Sequence, residues 1–267
     1  MPPLSSEYAQ VERPLIAQLV AMGWQHLAGD TEVPDFTERA SFRAVLLEGR
    51  LRAALRRLNL DDDEQPWLDE GRVSQAVSAL ERLGTAKLLE ANQRASALLM
   101  GGTLVEGDPV RHAGKSVTAQ YIDFAHPERN DFLVINQFRA DLPGGQGFII
   151  PDAVLFVNGI PLVVVECKSP ASTDPIAEGI TQLLRYANQR SWVEAEEGVE
   201  RLFHFNLLMI ATAWFQSRAG AVGGLYAHYL EWKDTSPIPP AEAAAELGVA
   251  SLSAQQTLVA GMLRPAH

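Results

Sequence analysis

The chain has 267 residues, a hydrophobic content of 47%, a charged content of 21% and a formal net charge of −11. These proportions are typical of a folded globular protein and exclude a largely disordered chain. The single cysteine, Cys167, excludes an internal disulfide and a zinc site built from cysteines. The negative charge argues against tight unassisted binding to nucleic acid, because phosphate contacts need clustered lysine and arginine.

The N-terminal sequence from Met1 to Glu7 lacks the charged and apolar regions of a signal peptide. No apolar run approaches the roughly 20 residues that cross a bilayer, and the longest candidates, such as 160–165, have the length of a strand. We therefore expect a cytoplasmic protein that does not enter a membrane.

The region from Ser6 to about Met100 is predicted to be helical. The segment that begins at Glu12 is amphipathic, and Pro14 fits a first helical turn. A second helical stretch is predicted from Thr37, because apolar residues recur there at helical spacing. These residues are Phe42, Leu46, Leu47, Leu51, Leu55 and Leu58. Two further helices are predicted near 73–83 and 88–100.

Beyond Gly101 the pattern changes to β-branched and aromatic runs that are typical of strands. Strands are predicted at 103–106, 117–124, 132–139 and 206–213, and a hairpin is predicted at 148–166 around Asn158-Gly159. Helices are predicted at 174–188, 241–247 and 253–263, after a linker-like stretch at 235–240. The sequence therefore predicts an α/β protein with a mixed central sheet, preceded by a helical N-terminal region.

The chemically informative segment is Pro151-Asp152, then 13 residues, then Glu166-Cys167-Lys168. Asp152 and Glu166 offer the hard oxygen ligands that Mg²⁺ prefers, and the main-chain carbonyl of Cys167 is a candidate third ligand. Lys168 lies two residues beyond Glu166, so both side chains point to one face of a strand. An ammonium there can orient the attacking water and offset transition-state charge. We therefore predict Asp152, Glu166 and Lys168 as catalytic residues.

This hypothesis places a condition on the hairpin. A strict two-residue loop at Asn158-Gly159 would pair Asp152 with Val165 and direct Asp152 to the wrong face. A three-residue loop would pair Asp152 with Glu166, so the chemistry predicts an odd loop with a glycine bulge.

The alternative is that Glu166 and Lys168 form an ordinary surface ion pair at the end of a strand. Two observations favour a site. The acids lie at the ends of strongly apolar strands, and burying charges beside Val163-Val-Val165 is costly without a compensating ion.

The blocks Asn130–Phe138 and Ile150–Pro170 resemble the restriction (R) subunit of type I restriction–modification enzymes. Shorter matches occur at Glu12-Arg-Pro-Leu-Ile, at Gln182-x-x-x-Tyr186 and at Ser217-Arg-Ala-Gly220. The resemblance implies a PD-(D/E)xK restriction-endonuclease-like core, a Mg²⁺ cofactor and cleavage of double-stranded DNA. It also implies methyltransferase and specificity subunits as partners.

The family's metal-binding and catalytic residues match Asp152, Glu166 and Lys168 without a mismatch. The Gln-x-x-x-Tyr motif is shared with RecB-like nucleases, and it implies that Gln182 and Tyr186 orient DNA or the lysine from one helix face. Such nucleases often carry an additional acid on an earlier helix. Glu81 and Glu90 are candidates, although a solvated helix-face acid is the simpler interpretation of each.

In the family, ATP-driven translocase domains follow the nuclease. No Gly-x-x-x-x-Gly-Lys-Ser/Thr loop exists here, because Gly114-Lys115-Ser116 has Pro109 where the first glycine is required. We expect those motor domains, and any use of ATP, to lie outside this chain. The predicted organisation is a helical part of the nuclease domain at 1–100, the nuclease core at 101–235, and a linker with the start of a truncated helical segment at 236–267.

Two other functions stay open on the sequence alone. One is a stand-alone RecB-like or modification-dependent nuclease. The other is a catalytically silent interaction module that keeps the fold, which the net charge of −11 favours and the intact Asp152, Glu166 and Lys168 set disfavours. Metal-dependent nicking that Glu166→Ala abolishes would separate the enzyme from the module.

Overall fold

The structure, a computed structural model, describes residues 7–190 and 197–265. Ser6, at which the predicted helical stretch begins, lies outside the described residues, as do the last two residues of the chain. The helices are α1 (Arg13–Ala21), α2 (Glu48–Leu58), α3 (Glu70–Glu81), α4 (Leu88–Gly101), α5 (Pro175–Tyr186), α6 (Glu200–Phe203), α7 (Pro240–Glu246) and α8 (Ala254–Met262). A π-helical turn, Tyr8–Glu12, runs directly into α1.

The strands are β1 (Gln25–Ala28), β2 (Thr103–Val105), β3 (Val117–Ala119), β4 (Phe132–Asn136), β5 (Ala140–Asp141), β6 (Phe148–Ile149), β7 (Ala153–Val157), β8 (Ile160–Cys167), β9 (Leu208–Thr212) and β10 (Ser217–Gly220). Six of them form the central sheet in the order β1-β4-β7-β8-β9-β10. The β1–β4 and β8–β9 pairs are parallel and the other three are antiparallel. The predicted α/β fold with a mixed central sheet is confirmed.

The middle of the sheet is buried on both faces. All five residues of β7 and all eight of β8 are buried, as continuous apolar runs of this length predict. Helix α5 begins with an Asp174 side chain that accepts a hydrogen bond from the main-chain N–H of Ala177, and it packs its apolar face on β8 and β9. Helix α5 therefore forms one of the layers that bury β8.

The N-terminal region is not entirely helical. Strand β1 adds to the sheet edge beside β4, and α2 begins at Glu48 rather than near Thr37. The apolar residues before Glu48, including Phe42 and Leu47, are buried without being helical. None of the described helices is both long and apolar enough to cross a membrane.

The C-terminal segment returns to the start of the chain. Helix α8 packs on α1, where the Gln18 side chain donates to the Gln256 carbonyl at 2.9 Å. The Trp24 indole donates to the Leu263 carbonyl at 2.8 Å. The Gln255 side chain donates to the Val11 carbonyl at 3.2 Å. Residues from the predicted tail therefore support the N-terminal helix, while the division at 100 and 235 stays a prediction.

Candidate active site

The β7–β8 hairpin brings Asp152 opposite Glu166, by a different route from the one predicted. Its loop has two residues, because Val157 pairs with Ile160, and the predicted three-residue loop is wrong. The extra residue lies within the strand. Phe156 pairs with Pro161 while Leu155 pairs with Val163, so Leu162 forms a bulge. Beyond the bulge Ala153 pairs with Val165, and one further step sets Asp152 against Glu166 as the chemistry requires.

The turn at the other end of this hairpin is buried and fully bonded. Asn158 and Gly159 both have positive φ, at 53° and 79°, as a tight two-residue hairpin turn requires. The Asn158 side chain donates to the carbonyl of Tyr121 and to Asn130 Oδ1, and it accepts from the main chain of Asp131. The Gly159 carbonyl accepts from the N–H of Leu47 at 2.9 Å. The turn therefore anchors the hairpin.

Glu166 and Lys168 form a close ion pair at the end of β8. The Lys168 Nζ–Glu166 Oε1 distance is 2.6 Å, and Glu166 is only 1% exposed. Burial raises the pKa of Glu166 well above its usual range, and the nearby Asp152 carboxylate raises it further. Burial lowers the pKa of Lys168, but attraction to Glu166 outweighs it and the net shift is upward.

One oxygen of this pair has no partner. Glu166 Oε2 is buried and makes no hydrogen bond to any described residue. A buried carboxylate oxygen without a partner is costly, so it marks a position where a cation or a proton is expected.

Asp152 lies beside the pair. Its Oδ2 accepts from the main-chain N–H of Cys167 at 2.7 Å, and its Oδ1 accepts from Gln137 Nε2 at 3.1 Å. Burial raises its pKa despite these donors. The Cys167 thiol is fully buried, and burial raises its pKa well above the usual range, so it is inert packing rather than a nucleophile.

A third carboxylate, which was not predicted as part of the site, comes from the π-helical turn before α1. Glu12 is 2% exposed, and its two oxygens accept from Asn136 Nδ2 and Gln137 Nε2, each at 2.9 Å. Burial raises its pKa to about 7 against these hydrogen bonds, and Asp152 adds to the shift. The signal was present, since Glu12 opens a segment that carries the family resemblance.

The acids considered as candidates for that role lie elsewhere. Glu90 is exposed on α4 and pairs with Arg94 at 2.5 Å. Glu81 is exposed at the end of α3, beside a surface depression that Arg201 also lines. The acid whose charge raises the pKa of both Asp152 and Glu166 is Glu7 rather than either of these, and Glu12 lies near Asp152.

Gln182 and Tyr186 both come from α5, but they take different positions. Gln182 lines an open cleft of about 680 Å³ together with Lys168. Tyr186 is 3% exposed, with its ring in the core. Its hydroxyl accepts from Gln182 Nε2 at 2.5 Å and donates to the Ile150 carbonyl at 3.2 Å. Tyr186 thus links α5 to the segment that leads into Asp152, and a DNA-orienting role for either residue stays a prediction.

The cleft beside Lys168 is polar and open to solvent. Its lining residues come from α5 and its flanks: Asp174, Ala177, Glu178, Thr181, Gln182, Arg185 and Arg190. Helix α5 approaches closely here, because an added Cβ on Gly179 would lie 3.0 Å from the Ala211 methyl and 3.5 Å from Lys168 Cγ. The cleft connects Lys168 with the solvent.

The donor set fits a hard divalent cation. Among the described residues, no three histidine, cysteine or acidic side chains converge closely enough to form a ready-made ligand cage. Instead two facing carboxylates, Asp152 and Glu166, lie beside one ammonium, and one oxygen lacks a partner. A Mg²⁺ ion commonly binds to one or two carboxylates and keeps several waters, which such a set allows.

A comparison with protein families identifies the family of this chain. Residues 5–223, most of the chain, match the family model described as the N terminus of type I restriction enzyme R proteins. The chain therefore belongs to this family.

Individual relatives are named as endonuclease subunits of type I restriction enzymes. The type I restriction enzyme HindI endonuclease subunit of Haemophilus influenzae is 29% identical over 225 residues, which is 84% of this chain and 20% of that protein. A Methanocaldococcus jannaschii chain, described as the endonuclease subunit of the type I restriction enzyme MjaIXP, is 28% identical over 197 residues, or 69% of this chain and 18% of that protein. The chain spans about a fifth of the length of these relatives.

Proposed function

We propose that this chain is a metal-dependent endonuclease domain of the PD-(D/E)xK type that hydrolyses phosphodiester bonds in double-stranded DNA. The observation that carries the proposal is the convergence of Asp152, Glu166 and Lys168 at one end of the hairpin. There Lys168 lies 2.6 Å from one Glu166 oxygen, while the other oxygen is buried without a partner. The family membership supports the same function.

Asp152, Glu166 and the main-chain carbonyl of Cys167 would hold a Mg²⁺ ion. When bound, the ion supplies Lewis-acid stabilisation of the phosphate and lowers the pKa of a coordinated water. Lys168 reaches from this pair to the cleft, where its ammonium orients the attacking water and offsets charge on the phosphate oxygens. Glu12 adds negative charge behind Asp152 and strengthens the preference for a cation.

DNA would approach through the cleft on α5. Gln182, which lines the cleft, would contact the DNA, and the Tyr186 hydroxyl, which accepts from Gln182, would hold that side chain. Because the net charge is −11, intrinsic affinity for DNA should be weak and steeply dependent on salt.

The DNA would therefore need to be delivered by other parts of the assembly. Methyltransferase and specificity subunits would provide site recognition. ATP-driven domains outside this chain would provide translocation, within a cytoplasmic restriction system.

The proposal is tested by nicking of supercoiled plasmid with Mg²⁺ or Mn²⁺ in excess of EDTA. Wild type should convert the plasmid slowly to the open circle, and Glu166→Ala should not. Glu90→Ala, which removes an exposed helix-face acid, is the matched control and should cut like wild type. Equal nicking by wild type and Glu166→Ala would contradict the assignment and favour a silent interaction module.

A further inference from the structure

Gln137 occupies an unusual backbone position beside the carboxylates. It directly follows β4 and has φ of 49°, a left-handed conformation that non-glycine residues seldom adopt. Its N–H donates to the Asp152 carbonyl at 2.9 Å, and the next N–H, of Phe138, donates to the Pro151 carbonyl at 3.1 Å. The backbone of Gln137 is thus held directly to the segment that carries Asp152.

Gly29 packs against the main chain of Asn136 and Gln137. Gly29, just after β1, comes so close that an added Cβ would lie 2.1 Å from the Asn136 carbonyl oxygen and 2.4 Å from that of Gln137. The opposing atoms are main chain, so no side-chain rotation could relieve the clash. The position of Gln137 is therefore fixed by packing rather than by local preference.

The side chain of Gln137 bridges two carboxylates. One nitrogen, Nε2, lies 2.9 Å from Glu12 Oε2 and 3.1 Å from Asp152 Oδ1. An amide nitrogen carries two hydrogens, which is the number that these two acceptors need. The bridge satisfies one oxygen of each acid without adding positive charge. A lysine or arginine here would satisfy the same oxygens but would remove the excess negative charge that attracts a cation.

We infer that Gln137 is a positioning residue for the metal site. Its side chain, held at the same nitrogen by Glu12, fixes the Asp152 carboxylate in the orientation that binds a divalent cation. The inference rests on the proposed function. The Cys167 N–H fixes Asp152 Oδ2 and Gln137 fixes Oδ1, so the carboxylate plane has two anchors. Loss of one anchor leaves the ligand free to rotate, and outer-sphere losses of this kind typically weaken metal binding or activity about 10- to 100-fold.

The test measures Mn²⁺ binding to the 267-residue chain by calorimetry and electron paramagnetic resonance. The variants are Gln137→Asn, whose carboxamide is one methylene too short to bridge, and Gln137→Gly. Both replacements tolerate positive φ, so both should fold. Gln65→Asn, at an exposed position far from Gln137 in the sequence, is the matched control. We expect the Mn²⁺ affinity of both Gln137 variants to be at least about tenfold lower than that of wild type. The affinity of the control should be unchanged.

Plasmid nicking adds a readout that a purely structural role would not reproduce. The Mn²⁺ concentration for half-maximal nicking should rise about tenfold in Gln137→Asn, while the rate at saturating Mn²⁺ should fall much less. Wild-type Mn²⁺ affinity in both variants would overturn the inference and leave the proposed function intact. Loss of the folded state in both would assign Gln137 to the fold and also overturn it. If Mn²⁺ binding by wild type did not depend on Glu166, the proposed function itself would fail.

Discussion

The two ends of the β7–β8 hairpin belong to one pair of buried strands, but they differ in whether their buried polar groups have partners. At the turn, Asn158 is fully buried, and each of its side-chain polar atoms has a protein partner. At the open end, Asp152 and Glu166 face each other beneath a single ammonium, with one carboxylate oxygen unpartnered. One end is fully compensated and the other carries excess negative charge.

This difference separates stability from function within one element. Compensated polar groups at the turn fix the strands in space. Uncompensated acids at the other end have raised pKa values, which means that the folded protein holds them at a cost in the absence of a cation. Strain of this kind is expected where a ligand supplies the missing charge.

The largest effect should come from removing the ammonium at the open end. In a full-length R protein that carries this segment, Lys168→Ala should lower DNA cleavage on the order of 10²- to 10³-fold, because transition-state charge loses a close partner. ATP hydrolysis and translocation should persist on the same preparation. A parallel loss of ATP hydrolysis would mean that Lys168 supports an interface rather than the reaction.

A substitution at the turn should lower the stability of the fold rather than the rate of DNA cleavage. Gly159 has φ of 79°, and an added Cβ would lie 2.5 Å from the Leu47 carbonyl oxygen and 2.9 Å from the Leu51 nitrogen. Backbone strain and overpacking together should make Gly159→Ala less stable by about 2–4 kcal/mol in urea unfolding. Gly49→Ala, where an added Cβ meets nothing within 4 Å, is the control and should be at least as stable as wild type. Equal effects would show that the turn is not under packing constraint.

The carboxylates predict how stability depends on pH. The pKa of Glu12 is raised to about 7 in the folded protein, so the native state binds this proton more tightly than the unfolded chain. Its contribution is fully present below the unfolded pKa of about 4.5 and is lost as pH rises through 7. In EDTA, wild type should lose up to about 3 kcal/mol from this group between pH 4.5 and 7.5.

Substitution of Glu12 isolates that contribution. Glu12→Gln should make the fall of the unfolding free energy with pH less steep, with the part due to Asp152 and Glu166 remaining. Glu90→Gln, at an exposed acid, should leave the dependence unchanged. Saturating Mn²⁺ should also reduce the slope for wild type, since a bound cation favours the ionised carboxylates. A wild-type stability that rises with pH across this window would contradict the raised pKa.

The smallest effect concerns the link between α5 and the open end. Tyr186→Phe keeps the buried ring but removes the hydroxyl that joins Gln182 to the Ile150 carbonyl. The loss should be about 1 kcal/mol of stability with a modest fall in nicking. Tyr229→Phe is the matched control, because that buried hydroxyl donates a long hydrogen bond to the Met209 sulfur, at 3.6 Å. A larger cost for Tyr229→Phe would argue against the proposed link.

The sequence predicts this fold well where burial imposes one pattern. Strands β7 and β8 are continuous apolar runs around Asn158-Gly159, and only a buried hairpin accounts for them. Strand β1 was missed because it is a four-residue edge strand with mostly exposed side chains, so no alternation marks it. The early start predicted for α2 failed because the apolar residues before Glu48 pack as an irregular buried segment.

For the site, the sequence identifies the residues that lie close together along the hairpin. Glu166 and Lys168 are separated by one residue, and their shared face follows from strand geometry. The bulge at Leu162 cannot be read from an apolar run, since every residue there is compatible with either register. Glu12 and Gln137 join Asp152 only through tertiary packing. Both lie in segments that carry the family resemblance, but no local pattern in the sequence predicts their contact with Asp152.

The contact between α8 and α1 has a consequence for the order in which the chain is made. Glu12 immediately precedes α1, whose Gln18 side chain bonds to Gln256. Trp24, just beyond α1, bonds to Leu263, almost at the other end of the described chain. During translation α1 is made before α8, so the contact between Gln18 and Gln256 can form only after more than two hundred further residues have been added. We therefore expect a nascent chain to carry Asp152 and Glu166 before the support for Glu12 exists, so that the three acids reach their final arrangement only as synthesis of this segment ends.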